Sequence, residues 1–400
     1  MRSMDGWAGV VLLTAAAAAA GEDWPQWRGQ QRDGHVAVLP KTLPARKLLW
    51  KQPVAGTCDA GMAVAGGVLV MADHDDQSDF YDCLEADSGK TIWKRIFPNG
   101  RDMDYGSGPR ATPLIHDHKV YVLRAFGELA CLDLKTGKTI WQKDLVQDFD
   151  AAREPRWGYC SSPLLVQGRL IVNPGGKAAL AALEPETGRV IWQGAGAGAN
   201  YSSFIAGTFG GVEQVVGYDA KSLGGWDVKD GKRLWSLDIE ASTGYIVPTP
   251  VRVGEALFIA DSCNQAQLYG FDPQGRVRKT PIGKNDDLAP VVSSAVAVDG
   301  LILGQAGKLV CLDAAAQLRT LWRDEQEKTF KEDCHLIVAG ERGLAFNNLG
   351  ELILFRFDRQ GLRVLGKRKL CQKTLMHPTL AEGRLYVRDS EFLYCYALTE

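Results

Sequence analysis

A fifteen-residue pattern recurs along this chain and restricts its possible folds more than any other feature. Gly127–Trp141 reads GELACLDLKTGKTIW. An apolar strand, Leu129–Leu134, leads into a tight turn at Lys135, Thr136 and Gly137, and a second strand ends on Trp141. So short a turn needs a residue that accepts positive φ, which Gly137 supplies. The pattern returns at Cys83–Trp93, Ala182–Trp192 and Gly225–Trp235, and more loosely at Cys311–Trp322.

Ten residues before each Trp stands a small residue: Cys83, Cys131, Ala182 or Gly225. The loose copy has an interval of eleven. The hairpin brings the two positions together, and the small side chain leaves room for an indole to lie over neighbouring backbone. Each such Trp would bury on the order of 150–250 Å² and lock one unit to the next. Cysteine in this place is a small buried residue rather than a reactive one.

Trp50, Trp93, Trp141, Trp192, Trp235 and Trp322 are spaced by 43, 48, 51, 43 and 87 residues. The last gap holds two periods, with a degenerate unit at Leu268–Val277. Further degenerate units are Leu352–Val364 and Leu385–Leu398. Short strands repeating every 40–50 residues or so are the signature of a β-propeller. Eight inner strands are expected, starting near Gly61, Ala111, Ser161, Ser202, Thr249, Ser293, His335 and Pro378. Trp50 ends a strand that has no partner strand before it, and Tyr386–Leu398 has no Trp strand after it. The halves complete each other, so the N-terminal strand should close the ring and remove an open sheet edge. The fold expected is therefore all-β: an eight-bladed propeller of four-stranded blades, with helical turns only in loops at Asp144–Arg153 and Asp324–Lys331.

Residues 1–20 read as a signal peptide, with Arg2, an apolar run Trp7–Ala20 and Ala18-Ala19-Ala20 before Gly21. That run is short for a bilayer span, and no other stretch is apolar and long enough. Residues 21–46 form a lead-in containing Trp24-Pro25-Gln26-Trp27-Arg28-Gly29 and Arg32-Asp33-Gly34, which should pack on the propeller of residues 47–400. An exported monomer in the periplasm or cell envelope is the expectation. A formal net charge of −2 argues against nucleic acid, whose binders carry basic patches. The nine cysteines include no C-x-x-C. Cys83, Cys131, Cys311 and Cys395 fall in equivalent places of different units, too far apart to pair.

The A/G/C-Leu-Asp-x-x-T-G-x-x-x-W copies resemble the tryptophan-docking repeats of the pyrroloquinoline-quinone-like propeller superfamily. It includes quinoprotein alcohol dehydrogenases and the propeller lipoprotein of the outer-membrane β-barrel assembly machine, which binds no quinone. The resemblance runs from Leu48 to Leu398. It implies a propeller; the repeat is structural and does not itself imply an activity. The dehydrogenases usually carry an adjacent disulfide-bonded Cys pair, a Glu, Asn and Asp set for Ca²⁺, and an Asp base. No adjacent Cys pair stands here, and no motif places the calcium set. C-x-x-C-H, H-E-x-x-H and G-x-S-x-G are also missing. The expectation is a binding or scaffold module for a protein, peptide or glycan, without catalytic residues, metal or cofactor. The alternative is a quinone enzyme using pyrroloquinoline quinone with calcium, or a relic of one.

Residues at the inner-strand entrances should face the central channel: Arg110, Trp157, Tyr159, Tyr201, Thr249, His335 and His377. Arg110 among aromatic rings would suit an anionic or planar ligand. His335 and His377 occupy corresponding places in the last two blades. The acidic run Asp73–Asp79 offers alternating oxygens but lacks the glycine of a calcium loop, so it reads as a solvated loop. Asn285-Asp286-Asp287 reads the same way.

Overall fold

The computed structural model describes residues 22–43, 47–152, 154–239, 245–325 and 329–398; the signal segment 1–20 lies outside them. Eight four-stranded antiparallel sheets follow one another. Blades 1 to 8 begin with inner strands at Ala63, Leu114, Leu164, Ile205, Val251, Val296, Cys334 and Thr379. The strand Lys47–Pro53 pairs with Phe392–Ala397, setting Trp50 opposite Cys395. It is the outermost strand of blade 8, and the ring closes as expected. Among the described residues the helical content is a single turn, Leu145–Asp148, capped by the Asp144 carboxylate; part of Asp324–Lys331 lies outside them.

The spacing of ten has a direct structural cause. Cys83, Cys131, Ala182, Gly225 and Cys311 lie opposite Trp93, Trp141, Trp192, Trp235 and Trp322 across the two outer strands. In each pair the register slips by one residue just beyond the small residue. The extra residue, Ile92 in blade 1 and Ile140 in blade 2, is a bulge that bends the strand. The indole then crosses to the next blade. Trp93 Nε1 donates to the Leu134 carbonyl at 2.8 Å, and its ring covers Gly137, where a Cβ would come within 2.6 Å of it. Gly137 thus serves both the turn, at φ 68°, and the indole. Trp50, Trp141, Trp192 and Trp322 donate to Ala86, Pro185, Val228 and Asp358 in the same way. Trp235 differs. Its neighbour has the degenerate turn Asp272–Gly275, and it donates instead to Gln214 of its own blade at 2.6 Å.

Cys83, Cys131, Cys311 and Cys395 do not pair with one another. Burial pushes Cys83, Cys131, Cys311 and Cys395 up to about 12, which leaves them protonated and inert. Trp141→Ala should cost about 3–5 kcal/mol, and Cys131→Leu about 1–3 kcal/mol by crowding the indole. Chemical denaturation measures both. A Cys131→Leu variant as stable as the parent would refute the docking geometry.

The acidic run is not a solvated loop. Asp79 is fully buried and accepts from Arg124 Nε at 2.7 Å and from Asn99. Asp73, equally buried, pairs with Arg388 at 2.9 Å. These pairs join blade 1 to blades 2 and 8. Asp75, Asp76 and Gln77 remain exposed, with Asp75 capping the turn at Gln77 and Ser78. Asn285 and Asp287 likewise bridge blades 5 and 6, through Leu318 and Thr320.

Candidate functional site

The lead-in determines the shape of the channel. Trp24 makes two backbone hydrogen bonds to Val64 of blade 1, and Ile115 of blade 2 donates to Pro25. Arg32 donates to the Ser162 and Pro163 carbonyls of blade 3, and Arg28 to Ala295 of blade 6. His35 meets the Ala297 carbonyl, and Val36 and Gly34 bond Val338 of blade 7. Asp23 caps Gly66, and Glu22 accepts from Glu382. Gly66 and Glu382 lie in the turns joining first and second strands. The segment therefore enters from that face and plugs the channel. Arg28 and Arg32 hold left-handed backbone, at φ 58° and 59°, so their side chains pin a tightly coiled loop. Burial lowers them to about 10 and about 9, with Arg28 adding to the effect at Arg32. Sequence reading had the lead-in on the propeller body; the plug itself was missed.

Above the plug a cavity of about 220 Å³ opens towards the long connections that run from each outer strand to the next blade. Trp27 forms part of its floor, donating to Thr249 Oγ1 at 3.3 Å and meeting the His377 ring edge-on at 4.7 Å. Asp59, Arg110, Tyr201, Val247, Val292, Asp333, Asn348 and Leu375 complete most of the wall. Inner-strand entrances are tied blade to blade by hydroxyls. Thr112 N–H donates to Ser162 Oγ, Ser162 N–H to Ser203 Oγ, and Thr249 N–H to Ser294 Oγ, all at 2.9–3.1 Å. The Ser-Ser steps at 161–162, 202–203 and 293–294 were the available sign of this ladder.

Of the residues expected in the channel, Arg110, Tyr201, Thr249, His335 and His377 line the cavity. Tyr159 does not. Its ring is buried between blades 2 and 3, and its hydroxyl donates to Pro174 at 2.7 Å. Trp157 sits at the lip, 5.4 Å from Tyr201 and 4.8 Å from Tyr245 between ring centres, with Tyr105 beside it. Tyr105 and Tyr245 carry no repeat signal and were missed. Arg110 does not project as a free anion clamp. Its guanidinium donates to the carbonyls of Asp104, Tyr105, Gly106 and Gly108, fastening the loop of its own entrance.

His335 and His377 stack on each other with ring centres 4.4 Å apart. Burial lowers His335 from 6.5 to about 4, and burial together with His335 holds His377 well below its ordinary value. Both are neutral at pH 7. Between pH 6.5 and about 4 the unfolded chain binds protons that the folded chain refuses, so stability falls as pH drops through that window. A double His335→Gln, His377→Gln variant should lose less stability than the parent over the same interval. Denaturant unfolding at stepped pH reads the difference, and identical slopes would contradict the burial.

A family described as outer membrane protein assembly factor BamB matches residues 82–272. BamB of Yersinia pestis is 26% identical over 75% of this chain and 76% of its own length. The quinohemoprotein alcohol dehydrogenase of Comamonas testosteroni superposes on 96% of this chain and 81% of its own, with a TM-score of 0.65 at 13% identity. This chain is an eight-bladed β-propeller, similar to BamB in sequence and to quinoprotein dehydrogenases in fold. The proteins it is similar to are redox enzymes as well as assembly factors. The quinoprotein alcohol dehydrogenase PedH of Pseudomonas putida is 28% identical, but over only 35% of this chain and 24% of PedH. The propeller thus matches about a quarter of that enzyme's length.

The residues present do not fit a quinone with its cation. Such a cofactor is planar and multiply anionic, and the Arg110 donors are engaged by carbonyls. The cavity, at about 220 Å³, is smaller than the roughly 300–1,000 Å³ usual for drug-sized ligands. Among the described residues no three His, Cys, Asp or Glu side chains converge to hold a metal ion. Among them, too, no helix is long and apolar enough to cross a membrane.

Proposed function

We propose that this propeller is a non-catalytic binding or scaffold module of the cell envelope. Its partner, a protein, peptide or glycan, docks on the face where the cavity opens. The observation that carries this reading is the plugged channel. A cup with a fixed floor and an aromatic lip formed by Trp157, Tyr201 and Tyr245 can bind, while its Arg110 is tied to backbone carbonyls. The likeness to BamB over three quarters of both chains supports the envelope setting and a protein partner.

A photo-crosslinking residue at Tyr105, which is exposed on that lip, should capture a discrete partner in the native envelope. The same residue at Ile282, on the outer side of blade 5, should not. Equal capture at both positions would overturn the choice of face. The local likeness to PedH favours a second reading, a quinone-dependent oxidoreductase or its relic. Titration with pyrroloquinoline quinone and Ca²⁺, with alcohols and sugars assayed against an artificial electron acceptor, separates the two. Micromolar quinone binding with turnover would promote the enzyme.

A further inference from the structure

Resting on that choice of face, we infer that the cavity takes one neutral aromatic side chain from an extended segment of a protein partner. The cavity's charges argue first. Its cation, Arg110, holds four backbone carbonyls with Nη1 and Nη2, both imidazoles are held neutral, and burial pushes the Asp59 and Asp333 carboxyls of the wall upward, towards their uncharged form. An anionic group entering here would gain little and lose its hydration.

The wall argues second. Trp27, Tyr201, Val247, Val292 and Leu375 give it a mainly apolar surface. A glycan would bring many hydroxyls against few partners, and each unpaired one costs free energy. The volume of about 220 Å³ suits a single side chain better than a larger ligand of roughly 300 Å³ or more. An aromatic ring fills such a space with rings already at its edge.

Two orphaned polar atoms argue third. Asn348 Oδ1 lies in the wall, and Trp157 Nε1 lies at the lip, next to Tyr201. Both are buried without a hydrogen-bond partner among the described residues. One is an acceptor and the other a donor. A segment lying across the mouth can offer a backbone N–H to the one and a C=O to the other, from different peptide units. Around the same mouth stand Tyr105, Val291 and Leu375, which are 84%, 45% and 61% exposed. They form an apolar collar for the rest of the segment.

The test uses the full chain and small neutral probes. N-acetyl-tryptophanamide and N-acetyl-phenylalaninamide should bind in ligand-observed NMR titrations about tenfold more tightly than N-acetyl-glutamic amide or a disaccharide. Leu375→Trp, on an exposed loop, should block the cavity and weaken binding by about tenfold or more without changing the melting curve. Asn348→Leu should weaken it by roughly tenfold through loss of the acceptor. Equal binding of acid, sugar and aromatic amides overturns the inference, as does unchanged binding in Leu375→Trp. Crosslinking at Tyr105 separates the two readings. Capture of a partner that Leu375→Trp leaves intact, with no amide binding, sinks this inference alone. Tight amide binding with no partner captured at Tyr105 sinks the scaffold reading and leaves the subsite standing.

Discussion

Arg388→Met should destabilise the protein by about 3–5 kcal/mol, the usual cost of stripping one partner from a buried ion pair. Arg388 and Asp73 are each only 1% exposed, and Nη2 lies 2.9 Å from Oδ1. The guanidinium also donates to the carbonyls of Ala72 and Gly56. Asp73 in turn accepts from the Ala55 and Gly56 amides. Arg388 belongs to blade 8, Asp73 to blade 1, and residues 55–56 to the chain passing between them. One cluster therefore holds the closure seam. Met fills much of the volume but leaves the carboxylate charged, with only backbone donors. A double Arg388→Met, Asp73→Leu variant should recover part of the loss, since it removes the orphaned charge. Urea unfolding gives both values. A single variant within 1 kcal/mol or so of the parent would show that the seam does not depend on the pair.

Truncation through Gln52 should have an effect of similar size or larger, because it removes three contributions together. The first is the outer strand of blade 8, which leaves the edge of Phe392–Ala397 open. The second is the Trp50 indole, which donates to Ala86 of blade 1 and packs on Tyr386. The third is the plug, which ties seven blades through Trp24, Trp27, Arg28, Arg32 and their neighbours. The expected result is a fall in Tm of roughly 5–10 °C or more, with concentration-dependent association through the exposed edge. Restoring residues 47–53 without the lead-in should recover the edge but leave the channel open at both ends. An unchanged melting curve for the full truncation would refute closure by the N-terminal strand.

The parts legible in the sequence were those written in local spacing. An interval of ten between Cys131 and Trp141 describes one hairpin, and its recurrence counts blades. The bulge at Ile140 was less legible, because the extra residue shows only once the register is known. Asp73 and Asp79 looked like a solvated run because their cations lie 315 and 45 residues away. Against the Ser-Ser steps, Tyr159 stands one place earlier than Tyr201; it turns into the core between blades, while Cys160, in register with Tyr201, lines the cavity with it. That one-residue offset was in the sequence, and in an extended segment it turns the side chain to the other side.

By itself the sequence determined the all-β class, the number of blades and the closure of the ring, since these follow from strand period and the pairing of complementary ends. Tertiary structure alone decided what the channel offers. Arg28 and Arg32 bond carbonyls of Ala295 and Ser162, 267 and 130 residues distant, and a carbonyl leaves no mark in a sequence. Arg110 could have been a clamp or a loop fastener, and only the arrangement of its loop chose between them. Burial then neutralised the two histidines. Desolvation belongs to the assembled ring, and no run of residues carries it alone.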